Sequence, residues 1–232
     1  MRRILSSLVL AAALVPGAHS MDFQRVGDTL VMSGPVDGQD LVRLRNHLAE
    51  GGIKLLLLHE SPGGDLWNGY QLGYRIRQEG LPTAVSGKCE SACGLIFLSG
   101  KERSFSDGRP IGVTMLGLHG AHTVDTRRPL PELAPRMAYV IKSATGSKYP
   151  PDLLERTVNP RNAEDMVYSF HPVRYPVDAR ARGVVECLKQ PDAAFKCTML
   201  EGLDALGIGI ITNPEILRLP EEVKQYLGQL PS

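Results

Sequence analysis

Three short stretches of this sequence carry residue types that could do chemistry together. Gly87-Lys88-Cys89-Glu90-Ser91-Ala92-Cys93-Gly94 sets one hydroxyl among small residues at the start of an apolar run. If that run is a helix, its first N–H groups and the positive end of its dipole lie beside Ser91 and would stabilise charge developing on an attacked carbonyl. The competing role for Ser91 is that of a plain helix cap. Ser61-Pro62-Gly63-Gly64 follows an apolar stretch directly. Proline fixes the chain there, and two residues without side chains expose backbone N–H groups to an oxyanion or a peptide carbonyl, although Pro-Gly-Gly is also ordinary turn chemistry. His119 closes a third apolar stretch, beside Gly120 and Ala121 and shortly before His122. A base must reach its nucleophile, and a histidine at a strand end can do so if that strand neighbours the Ser91 turn. His119 and His122 with Cys89 and Cys93 make a poor metal set, because Cys-x3-Cys and His-x2-His are unusual ligand spacings; no metal is expected.

These residues must be positioned by elements that the pattern outlines. Thr29 to Val36 reads as a strand. Asp40 is placed to cap a helix in which Leu41, Leu44 and Leu48 share a face, with Gly51-Gly52 ending it. Ile53 to Leu58 is apolar apart from Lys54, as in a parallel strand covered on both faces. Gly69, Leu72, Gly73 and Ile76 recur at helical spacing, and the two glycines let that helix approach a neighbour closely. Gly80-Leu81-Pro82 stops it. Thr83 to Ser86 reads as a short strand, Gly87 as a turn, Ser91 to Leu98 as a buried helix, and Ile111 to Leu118 as another strand. Alternating strands and helices argue for an α/β fold with right-handed crossovers. Beyond it, Leu133, Met137, Val140, Ile141 and Ala144 form a helical stripe closed by Gly146. Pro150 to Pro176 lacks periodicity and reads as extended or loop structure. Ile208 to Thr212 reads as a short strand, and Glu215 to Leu227 as a helix broken at Pro220.

The N-terminus reads as an export leader spanning residues 1–20: Arg2-Arg3, an apolar run from Ile4 to Val15, and a small-residue cleavage region at Pro16 to Ser20. Twelve apolar residues are short against the ~20 of a membrane span, so no stable span is expected after cleavage. The remainder, residues 21–232, carries 24 Lys and Arg against 25 Asp and Glu, a formal charge of −1. That balance leaves no basic footprint for nucleic acid. A composition 43% hydrophobic and 22% charged is that of an ordinary globular chain, excluding disorder, coiled coil and collagen. No internal repeat or linker is visible, so one domain is expected. Outside the cytosol the four cysteines, Cys89, Cys93, Cys187 and Cys197, can be oxidised in any of three pairings.

The ordered set Ser61-Pro62-Gly63-Gly64, Gly69, Gly87 through Ser91-Ala92, Phe97-Leu98-Ser99-Gly100 and His119 resembles the Clp-protease proteolytic-subunit branch of the ClpP/crotonase superfamily, specifically its exported bacterial members. The resemblance covers roughly Thr29 to His122. It implies a ClpP/crotonase-like spiral of ββα units and a serine-hydrolase site. Ser91 falls on the family's nucleophile, His119 on its general base, and Gly63 or Gly64 with Ala92 on its oxyanion donors. It further implies a peptide or small acyl substrate, no cofactor, a homo-oligomer such as a trimer or hexamer, and a periplasmic or secreted location.

The pattern departs from that family at the third member, an aspartate there. The matching stretch here, Leu154 to Asn159, offers Thr157 or Asn159, and Asp165 lies nearby. Asn can also orient an imidazole. Cys89 and Cys93 bracket Ser91, unlike the cytosolic pattern. At helical spacing their Cα atoms would lie roughly 6 Å apart, within disulfide range, and such a bond would rigidify the turn. Cys187 with Cys197 would then close a short loop. Trp67 either lines a substrate groove or serves an interior or subunit contact, and Glu90 reads as a solvated turn residue. The uncertain acid leaves a second reading: a catalytically inactive ClpP/crotonase-fold binding or scaffold protein of the cell envelope.

Overall fold

The computed structural model describes residues 20–123, 125–172 and 183–230. The proposed leader, but for Ser20, therefore lies outside the described residues, as does the stretch 173–176 that ended the expected loop.

The site-bearing half is built on parallel strands. β1 (Asp22–Val26) pairs antiparallel with β2 (Thr29–Ser33), and β2 lies parallel to β3 (Leu55–Ser61), which lies parallel to β4 (Thr83–Glu90). Between them run α1 (Asp40–Ala49) and α2 (Leu66–Glu79), the latter capped by Asp65 and closed by Gly80 in the left-handed conformation. β3 is covered on both faces as expected. Leu56 and Leu58 face the main core of α1 to α3, while Leu57 joins a smaller cluster with Leu219, Val223 and Leu227.

β4 is longer than its sequence promised. It runs through Gly87, at φ +75°, and on to Glu90, so Gly87 is a kink inside a strand and not its end. The two halves of β4 have different neighbours. Thr83 to Val85 pair with β5 (Arg103–Phe105), and Lys88 to Glu90 pair with β6 (Met115–Leu118). The sheet thus opens at Gly87, and the residues beyond the opening carry the site. α3 (Ala92–Leu98) follows Ser91 and is buried along its whole length. Gly69 of α2 lies against Ala92, where an added Cβ would stand 3.0 Å from the alanine Cβ, which fulfils the close approach expected of that helix.

Several expectations need correcting. Ile111–Val113 is a 3-10 turn led by Pro110, and only Met115–Leu118 is strand. Within residues 150–172, expected to be extended or loop, stand α5 (Pro151–Val158), which follows α4 (Ala134–Thr145), and then β7 (Met166–Phe170). Proline at the first helical position gives up an N–H that has no intrahelical partner. Ile208 to Thr212 is not a strand. It is a buried turn held by Arg103, whose guanidinium donates to the carbonyls of Gly100, Ala144, Gly209 and Ile210. β8 (Val184–Lys189) and β9 (Phe195–Leu200), unexpected from the sequence, extend the sheet antiparallel from β7, giving the order β1-β2-β3-β4-β6-β7-β8-β9 with β5 beside β4. α6 (Glu221–Leu227) starts after Pro220 instead of being broken by it.

Candidate active site

Ser91 stands between β4 and α3 with φ +57° and ψ −123°, a backbone conformation that a residue with a side chain rarely adopts. It occupies the capping position of α3, yet its hydroxyl accepts no N–H from the helix. A capping serine would hold an extended backbone and spend its oxygen on the second or third N–H. This one does neither, so the plain capping role fails, and the half-buried hydroxyl stays available beside the N–H of Ala92, the first in α3 and without an intrahelical partner.

The turn after β3 closes against that serine. The Gly63 carbonyl accepts from the Val36 N–H at 2.8 Å, and the Asp65 N–H donates to the Val36 carbonyl at 2.9 Å. A trans peptide puts C=O and N–H on opposite sides, so the Gly64 N–H points away from Val36. A Cβ on Gly63 would stand 2.5 Å from Ser91 Cβ and 2.8 Å from the Ala92 nitrogen. Gly63 is at φ +83° and Gly64 at φ +143°. Glycine is required here by backbone conformation and by contact alike. Gly63 and Ala92, two of the residues expected to supply oxyanion donors, thereby lie against Ser91, while Gly64, the third, packs on Val36.

His119 arrives from β6. Glu90 pairs with Gly117, and the Ser91 N–H donates to the Gly117 carbonyl at 2.9 Å, which places the residues following β6 alongside the Ser91 turn. The imidazole is only 7% exposed and stacks on His122 with centroids 5.2 Å apart. Burial, reinforced by the neighbouring His122, lowers its pKa to about 4, although the Gly120 backbone favours the charged ring. The ring is therefore neutral near pH 7, as a general base must be.

The third member is where sequence and structure part. His119 Nδ1 is buried and makes no hydrogen bond among the described residues. Asp165 is buried, but its oxygens accept from the N–H groups of Asn162 at 3.0 Å and Lys189 at 2.8 Å. Asn159 is exposed and gives its amide to Glu155 at 2.9 Å. Thr157 donates to Leu153 and meets the Tyr149 hydroxyl. None of the three bonds to His119. Asn159 and Asp165 do share a cavity of about 140 Å3 with Leu118 and Pro160, but neither Ser91 nor His119 lines it.

Both disulfides are formed. Cys89 and Cys93, Cα atoms 5.3 Å apart and both fully buried, bridge the Ser91 turn. Cys187 and Cys197 are register partners across β8 and β9. Glu90 is not a free turn residue, because it ends β4 and accepts from the Tyr168 hydroxyl at 3.0 Å. Trp67 is 55% exposed, with Arg136 stacked 4.6 Å from its ring and 4.7 Å from that of Tyr70, so an interior role is excluded. Reading the sequence missed a brace behind the site: Glu60, at φ +44°, pairs with Arg109 at 3.3 Å and lies against Gly87, where any Cβ would collide with its carboxylate. The one local signal for that brace was Gly87 itself.

No family model and no curated protein matches the chain. Solved structures do match. A point variant of ClpP1 from Listeria monocytogenes superposes with a TM-score of 0.51 at 14% identity, over 85% of this chain and 95% of that one. The chain has the fold of ClpP1. A variant of the 1510-N membrane-bound stomatin-specific protease gives a TM-score of 0.46 at 13% identity, over 78% of this chain and 75% of that one. A probable enoyl-CoA hydratase from Mycobacterium tuberculosis gives 0.46 at 15% identity, over 91% and 80%. At 14% identity the likeness to ClpP1 is one of fold alone.

Proposed function

We propose that this chain is an exported ClpP-like serine hydrolase acting on peptides or small acyl substrates, with Ser91 as nucleophile and His119 as general base. One observation carries the reading: Ser91 is held at φ +57° with an unspent hydroxyl, against Gly63 on one side and against the strand leading to His119 on the other. In the reaction, His119 takes the proton from Ser91 Oγ as the oxygen attacks the substrate carbonyl carbon. The N–H groups of Ala92 and of Gly63 or Gly64 hold the resulting oxyanion. Collapse expels the amine or alcohol, which takes its proton from the imidazolium. Water, deprotonated by His119, then releases the acyl group. The leader, the two disulfides and the formal charge of −1 fit a periplasmic or secreted protein. A homo-oligomer belongs to the same proposal.

A second reading, an inactive binding or scaffold protein of the envelope, is favoured by one feature: the unpaired His119 Nδ1, with Asp165 and Asn159 committed elsewhere. A fluorophosphonate probe on the oxidised protein separates the two. Labelling lost in Ser91→Ala and reduced in His119→Ala supports the hydrolase. Equal labelling of wild type and Ser91→Ala removes Ser91 from the mechanism, and silence in wild type favours the scaffold.

A further inference from the structure

Among the described residues, Asp40 has a buried carboxylate oxygen with no hydrogen bond. Its side chain is fully buried at the start of α1. Oδ2 accepts from the Asp37 N–H at 2.7 Å, while Oδ1 has no hydrogen bond. A buried carboxylate oxygen without a donor is costly unless a cation reaches it. The nearest cation, Arg43 Nη1, stands 3.8 Å from Oδ1 and is turned to other acceptors: the Met21 carbonyl at 2.8 Å and the Ser20 hydroxyl. The Ser20–Met21 peptide is thus tied to the same guanidinium that faces Asp40. Met21 is fully buried, and Gly34, at φ +86°, lies beside this segment. The leader reading puts cleavage at this peptide bond, with Ala18 and Ser20 as the small residues before it.

We propose that Asp40 is the receiving site for the α-ammonium of Met21, created when a leader peptidase hydrolyses the Ser20–Met21 bond. Water gives its hydroxyl to the Ser20 carbonyl carbon and a proton to the departing Met21 nitrogen, which takes a second proton to become an ammonium with three donors. That ammonium supplies what Oδ1 lacks. The charged groups facing the pair are Asp37 and Arg43, of opposite sign. The contact continues toward the active site: Asp40 holds Asp37, and the adjacent Val36 is bonded to the turn on either side of Gly64. Processing would therefore brace the Gly63-Gly64 turn. The inference rests on the export reading and not on catalysis by Ser91.

The experiment compares the chain begun at Met21 with one retaining residues 18–20, each with and without Asp40→Asn, by thermal unfolding after intact-mass verification. In the Met21 chain the substitution should lower Tm by roughly 6–12 °C, as expected for breaking a buried pair in a domain of this size. In the extended chain it should leave Tm unchanged or raise it, because there it removes a buried charge whose Oδ1 has no donor and only the long Arg43 contact, while Asn keeps an oxygen for the Asp37 N–H. Equal shifts in both backgrounds overturn the proposal. On the unsubstituted Met21 chain, 13C reductive methylation reports the amine directly. It should titrate above the ordinary range of about 7.7–8.0, and a value within that range overturns the proposal. The N-terminus of the exported protein tests the processing step, and any start other than Met21 overturns that part. These readouts need no hydrolase activity, so failed labelling at Ser91 leaves them standing.

Discussion

The site region and the β7–β9 extension belong to one continuous sheet but are held by different physics. Around Ser91, strands are parallel, covered on both faces and crowded: β3, β4, α2 and α3 meet where a methyl group on Gly63 would strike the Ser91 turn and one on Gly69 would press on Ala92. In the extension, strands pair antiparallel, and β9 is exposed from Phe195 to Met199. Each region carries one disulfide, fully buried in the first and joining buried Cys187 to exposed Cys197 in the second. Tolerance to change should therefore differ sharply between them, and reactivity should depend on only one.

Glycine substitutions test that contrast most strongly. Gly63→Ala meets Ser91 Cβ and the Glu90 carbonyl at 2.5 Å with φ at +83°, so both contact and conformation oppose it. The expected result is loss of fluorophosphonate labelling by at least ~100-fold together with about 3 kcal/mol of stability, read by labelling rate and denaturant midpoint. Gly202→Ala, just beyond β9, also has positive φ, +74°, but meets nothing within 4 Å. It should cost only about 1 kcal/mol, the conformational part alone, with labelling unchanged. Similar losses at the two positions would break the comparison.

The disulfides sharpen it. In the chain-entropy account, loops closed by separations of 4 and 10 residues differ little, so removing either bond by paired Cys→Ala substitution should cost about 2–3 kcal/mol. Only Cys89→Ala/Cys93→Ala should also slow labelling, by ~10-fold or more, because that bond spans a serine whose backbone has left the allowed regions. If the Cys187–Cys197 pair slows labelling equally, the extension is coupled to the site and the separation drawn above is wrong.

Legibility followed the same divide. The Leu55 to Leu58 run and the stripe of Gly69, Leu72, Gly73 and Ile76 were readable because a strand covered on both faces and a helix with one buried face each carry an apolar pattern that fits within a short window. The extension hid itself. Pro150-Pro151 looks like a helix breaker, yet Pro151 opens α5, where a missing N–H costs nothing. β9 alternates no apolar face inward because both its faces meet solvent. Ile208 to Thr212 is apolar like a strand, but its carbonyls are answered by Arg103, over a hundred residues away, which no window of sequence contains. At the site, Ser91, His119 and the glycines were visible from type and order. The unpaired Nδ1 of His119 was not, because it depends on where Asp165 spends its oxygens, and those go to the N–H groups of Asn162 and Lys189.

The smallest expected effect is one of pH. An exposed imidazole near its ordinary pKa of 6.5 would lose about ten-fold of its basic form between pH 7.5 and pH 5.5. Burial lowers His119 to about 4, so its base form is lost only as pH falls through about 4. Labelling of Ser91 should accordingly change less than about two-fold from pH 7.5 to pH 5.5 and then fall on further acidification. The same lowering makes His119 a weaker base, and without an acid on Nδ1 the imidazolium formed during attack has only the Gly120 backbone in its favour. A flat profile with a slow absolute rate is the signature of that arrangement. A midpoint near 6.5 would instead mean that a carboxylate reaches Nδ1 in solution and that the site region is more open than its buried imidazole implies.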